Sequence, residues 1–376
     1  MNNPFITNGY SEPKYFCDRL RETEMLTRLL TNENNVALIS PRRLGKTDLL
    51  HHCFTQPQIQ EHYYTFIIDI YATTSMRDFI NVFGKSVLDE LKSKGRKAWN
   101  LFLQTLGSLR SEITYDGAGM PTWGMSIGAI TNPSISLDEI FVYLNQADKP
   151  CLVAFDEFQQ ITRYPDAANV AAALRTYIQR CNNAHFVFSG SQRHLMGAIF
   201  TSPSRPFYQS VNIINLPPIS LEKYTDFVVE KFEEAGKHIA IEVIENVYER
   251  FQGITSYMQR IMNLMFTYTF VGATCELQMV DICINELIDF SSDTYESLLF
   301  QMPEKQREVF LAIAKEGDVK NISSSTFVKK YSLVSASSVL SAVKGLLEKD
   351  FITQDKNIYS VYDKFFTLWL KRKNII

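Results

Sequence analysis

Six cysteines in 376 residues, at positions 17, 53, 151, 181, 275 and 283, are scattered without one C-x-x-C pair. That spacing offers neither a disulfide framework nor a paired-thiol motif. Several of the six sit in apolar segments, as buried thiols of a reducing compartment do. No uninterrupted apolar run reaches the roughly 20 residues that span a bilayer, and the N-terminus lacks the basic-then-apolar order of a signal peptide. The expected location is the cytoplasm, with no membrane partner. Charge of one sign is missing too: 38 Lys/Arg against 41 Asp/Glu leave a net −3. The balance is uneven, however. Residues 301–376 hold 13 Lys/Arg and 8 Asp/Glu, or +5, which leaves −8 on residues 1–300. A basic tail points to an anionic partner or to an ordinary solvated surface. The remainder, 45% apolar and 21% charged, is that of a globular chain with room for two or three domains.

The informative stretch is Asn35-Val36-Ala37-Leu38-Ile39-Ser40-Pro41-Arg42-Arg43-Leu44-Gly45-Lys46-Thr47-Asp48-Leu49-Leu50. A strand-length apolar run enters a polar loop, and Gly-Lys-Thr then opens a helical segment. Strand, loop and helix N-terminus are the setting of a phosphate-binding P-loop. The loop of residues 40–48 would cradle phosphates with the backbone N–H groups it has, Lys46 would reach the β/γ-phosphates of ATP, and Thr47 would ligate Mg²⁺. The first glycine of G-x-x-x-x-G-K-[ST] is Ser40 here; Gly45, where backbone must approach phosphate, is kept.

A second apolar run, Cys151-Leu152-Val153-Ala154-Phe155, ends in Asp156-Glu157, as a buried parallel strand does when it delivers carboxylates to its C-terminal edge. Asp156 would hold Mg²⁺, directly or through water. Glu157 would orient and deprotonate the attacking water. The alternative is a strand followed by an acidic turn.

These segments, with Phe188-Ser-Gly-Ser-Gln192, resemble the prokaryotic "archaeal ATPase" group of the STAND branch of AAA-like P-loop ATPases. Tyr15-Phe-Cys-Asp-Arg-Leu-Arg-Glu22 is similar to the branch's hh-G-R-x-x-E box, with Asp18 in place of glycine. The resemblance implies that Arg19 and Glu22 lie beside the nucleotide. It also implies that the strand next to the Asp-Glu strand delivers a polar sensor, Ser191 or Gln192, unless Ser191 is only a helix cap. An arginine finger, often supplied across the interface of a homo-oligomer, would be Arg205 in the proline-bounded loop 202–208 or Arg193; a surface ion pair is the alternative. Arg42 and Arg43 match the family's loop without an assigned role.

In chain order, residues 1–16 read as an irregular arm before a helix through Arg19, Glu22 and Leu30. Tyr63–Asp69 is a second core strand, with Asp69 either at the nucleotide edge or in a turn. Apolar spacing predicts helix over 75–105, a hairpin insertion over about 108–131, and helices at 137–145 and 167–180. Strands follow at 185–192 and 211–216. Trp123 would cover local core or touch a partner. Helices at 220–236, 241–251, 255–270 and 276–293 resemble the family's lid, whose G-x-P turn is Gly253-Ile254-Thr255 here. Three helices (303–315, 324–331, 335–349) and a hairpin (351–353 with 357–361) describe a winged helix. On its third helix Ser335, Ser337, Ser338, Ser341 and Lys344 could meet duplex DNA, with Lys329 and Lys330 nearby; protein docking is the alternative. The aromatic segment 362–370 would serve packing.

The expected fold class is α/β: an AAA-like parallel-sheet P-loop core (1–219), an α-helical lid (220–298) and a C-terminal winged-helix domain (299–376). The expected function is Mg²⁺-dependent ATP hydrolysis whose nucleotide state moves lid and winged helix. The alternative is a slow nucleotide switch that recruits a protein partner.

Overall fold

The computed structural model describes residues 2–110, 113–124, 130–355 and 357–376. Two compact units divide the chain, Asn8–Ile219 and Ser220–Ile376, and the N-terminal residues up to Thr7 belong with the second.

In Asn8–Ile219 the apolar runs are strands. They are β1 (Val36–Ile39), β2 (Tyr64–Asp69), the short pair β3 (Ile113–Tyr115) and β4 (Pro121–Trp123), β5 (Cys151–Asp156), β6 (Ala184–Gly190) and β7 (Asn212–Asn215). Five of them form one sheet in the order β2-β5-β6-β1-β7, and every neighbouring pair is parallel. β1 and β5 are buried along their whole length, as strands covered on both faces must be. On one face Phe155, Phe158, Phe186, Phe188, Phe200 and Phe207 stack into a continuous aromatic core.

Helix boundaries follow their caps. The predicted 75–105 helix is two, Met76–Ser93 and Arg96–Thr105, because Gly95 at φ +100° cannot continue a helix. The helix expected at 137 begins at Pro133, where Asn132 caps and proline takes the first helical position. β3 and β4 pair antiparallel outside the main sheet around an Asp116–Met120 turn, as an inserted hairpin should; the rest of the expected insertion at 111–112 and 125–129 lies outside the described residues. Trp123 covers local core: its ring lies over Gly84 and parallel to Phe102, and its N–H donates to Asn81 Oδ1 at 2.8 Å. All six cysteines are buried thiols.

In the second unit the helices are Leu221–Glu234, Ile241–Phe251, Thr255–Tyr268, Gln278–Phe290 and Ser292–Gln301. A small parallel pair, β8 (His238–Ile239) with β9 (Thr274–Cys275), was not foreseen. Phe5 is fully buried against Phe227, Phe232 and Phe266, so the arm is anchored on these helices. The winged helix follows as Glu304–Glu316, Ser325–Lys330 and Ala336–Glu348, with β10 (Val319–Lys320), β11 (Ile352–Asp355) and β12 (Ile358–Val361) in the order β10-β12-β11. The aromatic segment is a helix, Lys364–Arg372, whose Phe365, Phe366 and Trp369 are buried. Among the described residues no helix is long and apolar enough to cross a membrane.

A Cβ built at Gly84 would lie 2.3 Å from the Trp123 ring. Alanine normally stabilises a helix interior by about 1 kcal/mol over glycine. Here overpacking should reverse the sign, and Gly84→Ala should destabilise by about 1–3 kcal/mol. A melting temperature at or above wild type in thermal unfolding would contradict this packing.

Candidate active site

β1 ends at Ile39, and the chain turns without breaking contact with the sheet: Ser40 N–H still donates to Gly190 O at 3.3 Å. Ser40 is fully buried, and its backbone is not among those with positive φ. The glycine missing from the first loop position therefore costs no backbone strain. Positive φ falls instead on Arg43 (+69°) and Gly45 (+83°). A Cβ at Gly45 would meet nothing within 4 Å, so glycine is favoured there by backbone conformation rather than by room. The Lys46–Phe54 helix starts immediately after, and its N-terminus faces the loop.

Lys46 is 5% exposed, and its ammonium donates to loop carbonyls, Ser40 O at 3.4 Å and Pro41 O at 3.3 Å. Burial pushes its pKa down, and Arg42 adds to that; the carboxylates Glu157 and Asp156 pull it back up. Burial likewise raises the Asp48 carboxyl.

Opposite the loop is the end of β5. Thr47 Oγ1 donates to Asp156 Oδ2 at 2.5 Å across 109 residues of sequence. Asp156 Oδ1 accepts the Glu157 N–H at 3.0 Å. Glu157 sits in the left-handed region at φ +56°, which turns its side chain out of strand register. Its Oε2 accepts from Ser191 Oγ–H at 2.7 Å and from the Gln159 amide. Gln159 is 3% exposed, and its Oε1 accepts the Ser191 N–H at 3.3 Å. A Cβ at Gly190 would come within 2.6 Å of that oxygen, so glycine makes room for the amide. Nothing in the sequence singles Gln159 out, because Gln160 follows it directly in the mixed run Phe158-Gln159-Gln160-Ile161-Thr162.

Ser191 is thus no helix cap. The residue at the N-cap of Arg193–Phe200 is Gln192, whose side chain makes no capping bond. Ser191 Oγ instead joins Glu157, Gln159 and Arg42, whose Nε donates to it at 3.2 Å. Asp69 lies beside Asp156 in register and also closes a turn by accepting the Tyr71 N–H at 2.9 Å; burial raises its pKa. The turn reading of Asp69 holds, and its place beside Asp156 puts it on the same edge of the sheet.

Asp18 and Arg19 are left-handed, at φ +53° and +63°, before the Leu20–Thr31 helix. A glycine usual at position 18 would meet that conformation without strain. Arg19 is buried, pairs with Glu22 at 3.1 Å and donates to Leu44 O at 3.3 Å, so the upstream box is tied to the loop. Arg205 is exposed in a turn closed by its N–H on Ser202 O. In the other unit Gly253 has φ +69° and Thr255 takes the first helical position, where proline fits best.

Among the described residues no group of three or more His, Cys, Asp or Glu forms a metal cage. One hydroxyl and one carboxylate in contact, beside a phosphate-sized loop, is the donor set that Mg²⁺ shares with a nucleotide rather than one that holds Ca²⁺ or Zn²⁺ unaided.

The structural neighbours agree on fold. A Walker-type ATPase of Pyrococcus abyssi superposes with a TM-score of 0.68 at 16% identity, covering 98% of this chain and 99% of that one. The Aeropyrum pernix ORC2 protein, in its ADPNP-ADP complexes, gives 0.58 at 12% (100% and 99%). The ORC1 protein of the same organism, in complex with DNA, gives 0.55 at 11% (96% and 94%). No curated protein matches. A model described as "Probable winged helix domain" matches residues 293–372, as the helices and wing there require. Residues 16–261, which hold the Arg19 box, the P-loop, the Asp-Glu strand and Ser191, match the "ATPase domain predominantly from Archaea". The chain belongs to that family of P-loop ATPases.

Proposed function

We propose that this nucleotide-binding ATPase hydrolyses ATP with Mg²⁺ at the edge formed by Ser40–Asp48, Asp156, Glu157 and Ser191. The observation that carries the reading is the 2.5 Å contact between Thr47 Oγ1 and Asp156 Oδ2, which joins the loop to the carboxylate strand. Those two side chains would hold Mg²⁺, which would neutralise negative charge on the nucleotide phosphates. Lys46 turns its ammonium from the Ser40 and Pro41 carbonyls toward the β/γ-phosphates. Backbone N–H groups at the start of the Lys46–Phe54 helix bind the same anion. Glu157 orients a water and accepts its proton as the water oxygen attacks the γ-phosphorus; ADP leaves. Ser191 and Gln159 hold the Glu157 carboxylate in place, and Arg19 with Glu22 supports the loop from behind. Domain motion would follow nucleotide state, with 220–298 as lid and 299–376 as output.

One set of observations favours protein docking over DNA for that output. Lys330 pairs with Glu316 at 2.5 Å, and Ser335 is spent as the cap of the Ala336–Glu348 helix. Exposed residues on and before this helix include Val334 (68%) and Leu340 (51%), and its one lysine, Lys344, lies 4.0 Å from Glu348. A duplex-gripping face would offer several cations to phosphates.

Two experiments test these readings. In calorimetry with Mg²⁺, Glu157→Gln should bind ATP as wild type does while turnover falls at least about a hundredfold, the scale of a lost general base. Lys46→Met should lose nucleotide binding yet melt no lower than the ligand-free wild type, since a buried charge is removed. Turnover at the wild-type rate in Glu157→Gln, or full affinity in a folded Lys46→Met, would overturn the assignment. For the output domain, fluorescence anisotropy of the full chain with duplex should show no salt-sensitive binding between about 50 and 200 mM salt. A steep salt slope, flattened by about one unit for each of Lys329, Lys330 and Lys344 removed, would restore the DNA reading.

A further inference from the structure

Arg42 stands inside the loop, four residues before Lys46, and has no part in the chemistry above. Its Nε–H donates to Ser191 Oγ at 3.2 Å, and its guanidinium lies 5.4 Å from the centre of the Tyr71 ring. Ser191 follows β6 and Tyr71 follows β2, and β5 runs between those two strands. The cation is therefore held at the sheet edge by the exits of the strands that flank Asp156 and Glu157. From Ser191 the contact continues, because the same Oγ donates to Glu157 Oε2 at 2.7 Å.

Charge supports an anion at this place. Arg42 and Lys46 are two cations on one short loop, and a phosphate there would add negative charge to that of Asp156 and Glu157 and relieve the repulsion between the two cations. A triphosphate brings one more anionic group to the loop than a diphosphate does.

We propose that Arg42 contacts the γ-phosphate in cis, and that its bond to Ser191 reports the presence of that phosphate to Glu157. The inference rests on the nucleotide site proposed above. While Arg42 donates to Ser191, the Ser191 hydroxyl is held on Glu157 Oε2 and pins that carboxylate in place, because hydrogen bonds in a chain reinforce one another. When the γ-phosphate draws the guanidinium away, that reinforcement ends and the Glu157 carboxylate is freer to orient a water as substrate arrives. The same guanidinium then neutralises charge that develops on the transferred phosphoryl group. With ADP, Arg42 stays on Ser191 and Glu157 stays restrained.

The test uses the full chain. In a Glu157→Gln background with Mg²⁺, Arg42→Ala should weaken ATP about tenfold to a hundredfold, the scale of a lost charge-assisted hydrogen bond. ADP affinity should stay within about twofold of the parent. With Glu157 present, kcat should fall about a thousandfold or more. Equal losses for ATP and ADP, or no loss for either, would overturn the proposal. If Arg42→Ala shows no cooperative melting transition, Arg42→Lys replaces it: a point charge without the planar fork should still lose ATP-over-ADP preference, and unchanged preference would count against the idea. The Ser191→Ala, Arg42→Ala pair should affect kcat non-additively, since both break one chain of bonds; additive effects would refute the link to Glu157. Lys46→Met separates the two levels. If it keeps both nucleotides the site itself is wrong, and if it loses both while Arg42 variants fail to discriminate, only this inference is wrong.

Discussion

The five strands β2, β5, β6, β1 and β7 run parallel, so all of their carboxyl ends lie on one edge of the sheet. Everything chemical in the Asn8–Ile219 unit depends on that constraint. It brings Ser40, Asp69, Asp156 and Ser191 together although they span about 150 residues of sequence. β6 lies between the P-loop strand and the Asp-Glu strand, so Ser191 is placed where it can touch both Arg42 and Glu157. Open parallel sheets bind their ligands outside this edge because helices cover both faces and only the loops remain free.

Such an edge is expensive to build. Ser40, Lys46, Asp156, Gln159, Ser189 and Ser191 are all buried. Among the described residues Ser189 Oγ has no hydrogen-bond partner, and Lys46 makes only two long bonds to carbonyls. A buried polar group left unsatisfied costs about 1–3 kcal/mol. The apolar sheet and its phenylalanine stack offset that cost in the ligand-free protein. An anion at the loop would relieve part of it, which is why the same residues that destabilise the empty site give affinity for phosphate.

Much of this was legible in the sequence because the P-loop and the Asp-Glu strand are contiguous stretches in which apolar runs stop abruptly at polar residues. The winged helix was legible from the spacing of its helices, although the two-residue β10 was too short to carry a pattern. Gln159 was not legible, since its role arises from joining Glu157, two residues away, to Ser191, 32 residues later, a contact that only the strand order creates. Nor could spacing show that Lys330 would be occupied by Glu316, fourteen residues earlier on another helix. Asp18 looked like a departure from the family's glycine; its positive φ explains both the usual residue and why aspartate, which tolerates that region better than most, can replace it. Gly95 lay inside a helical pattern, and only its backbone angle shows that it ends one helix and starts another.

The central claim is that this edge cleaves ATP rather than merely holding it. A single-turnover measurement with enzyme in excess over radiolabelled ATP tests it directly. The account predicts that bound ATP converts to ADP and phosphate in one exponential phase with Mg²⁺ present, and that chelating the metal stops conversion. ATP that stays bound and intact with Mg²⁺ would contradict it and leave a nucleotide-held switch in its place.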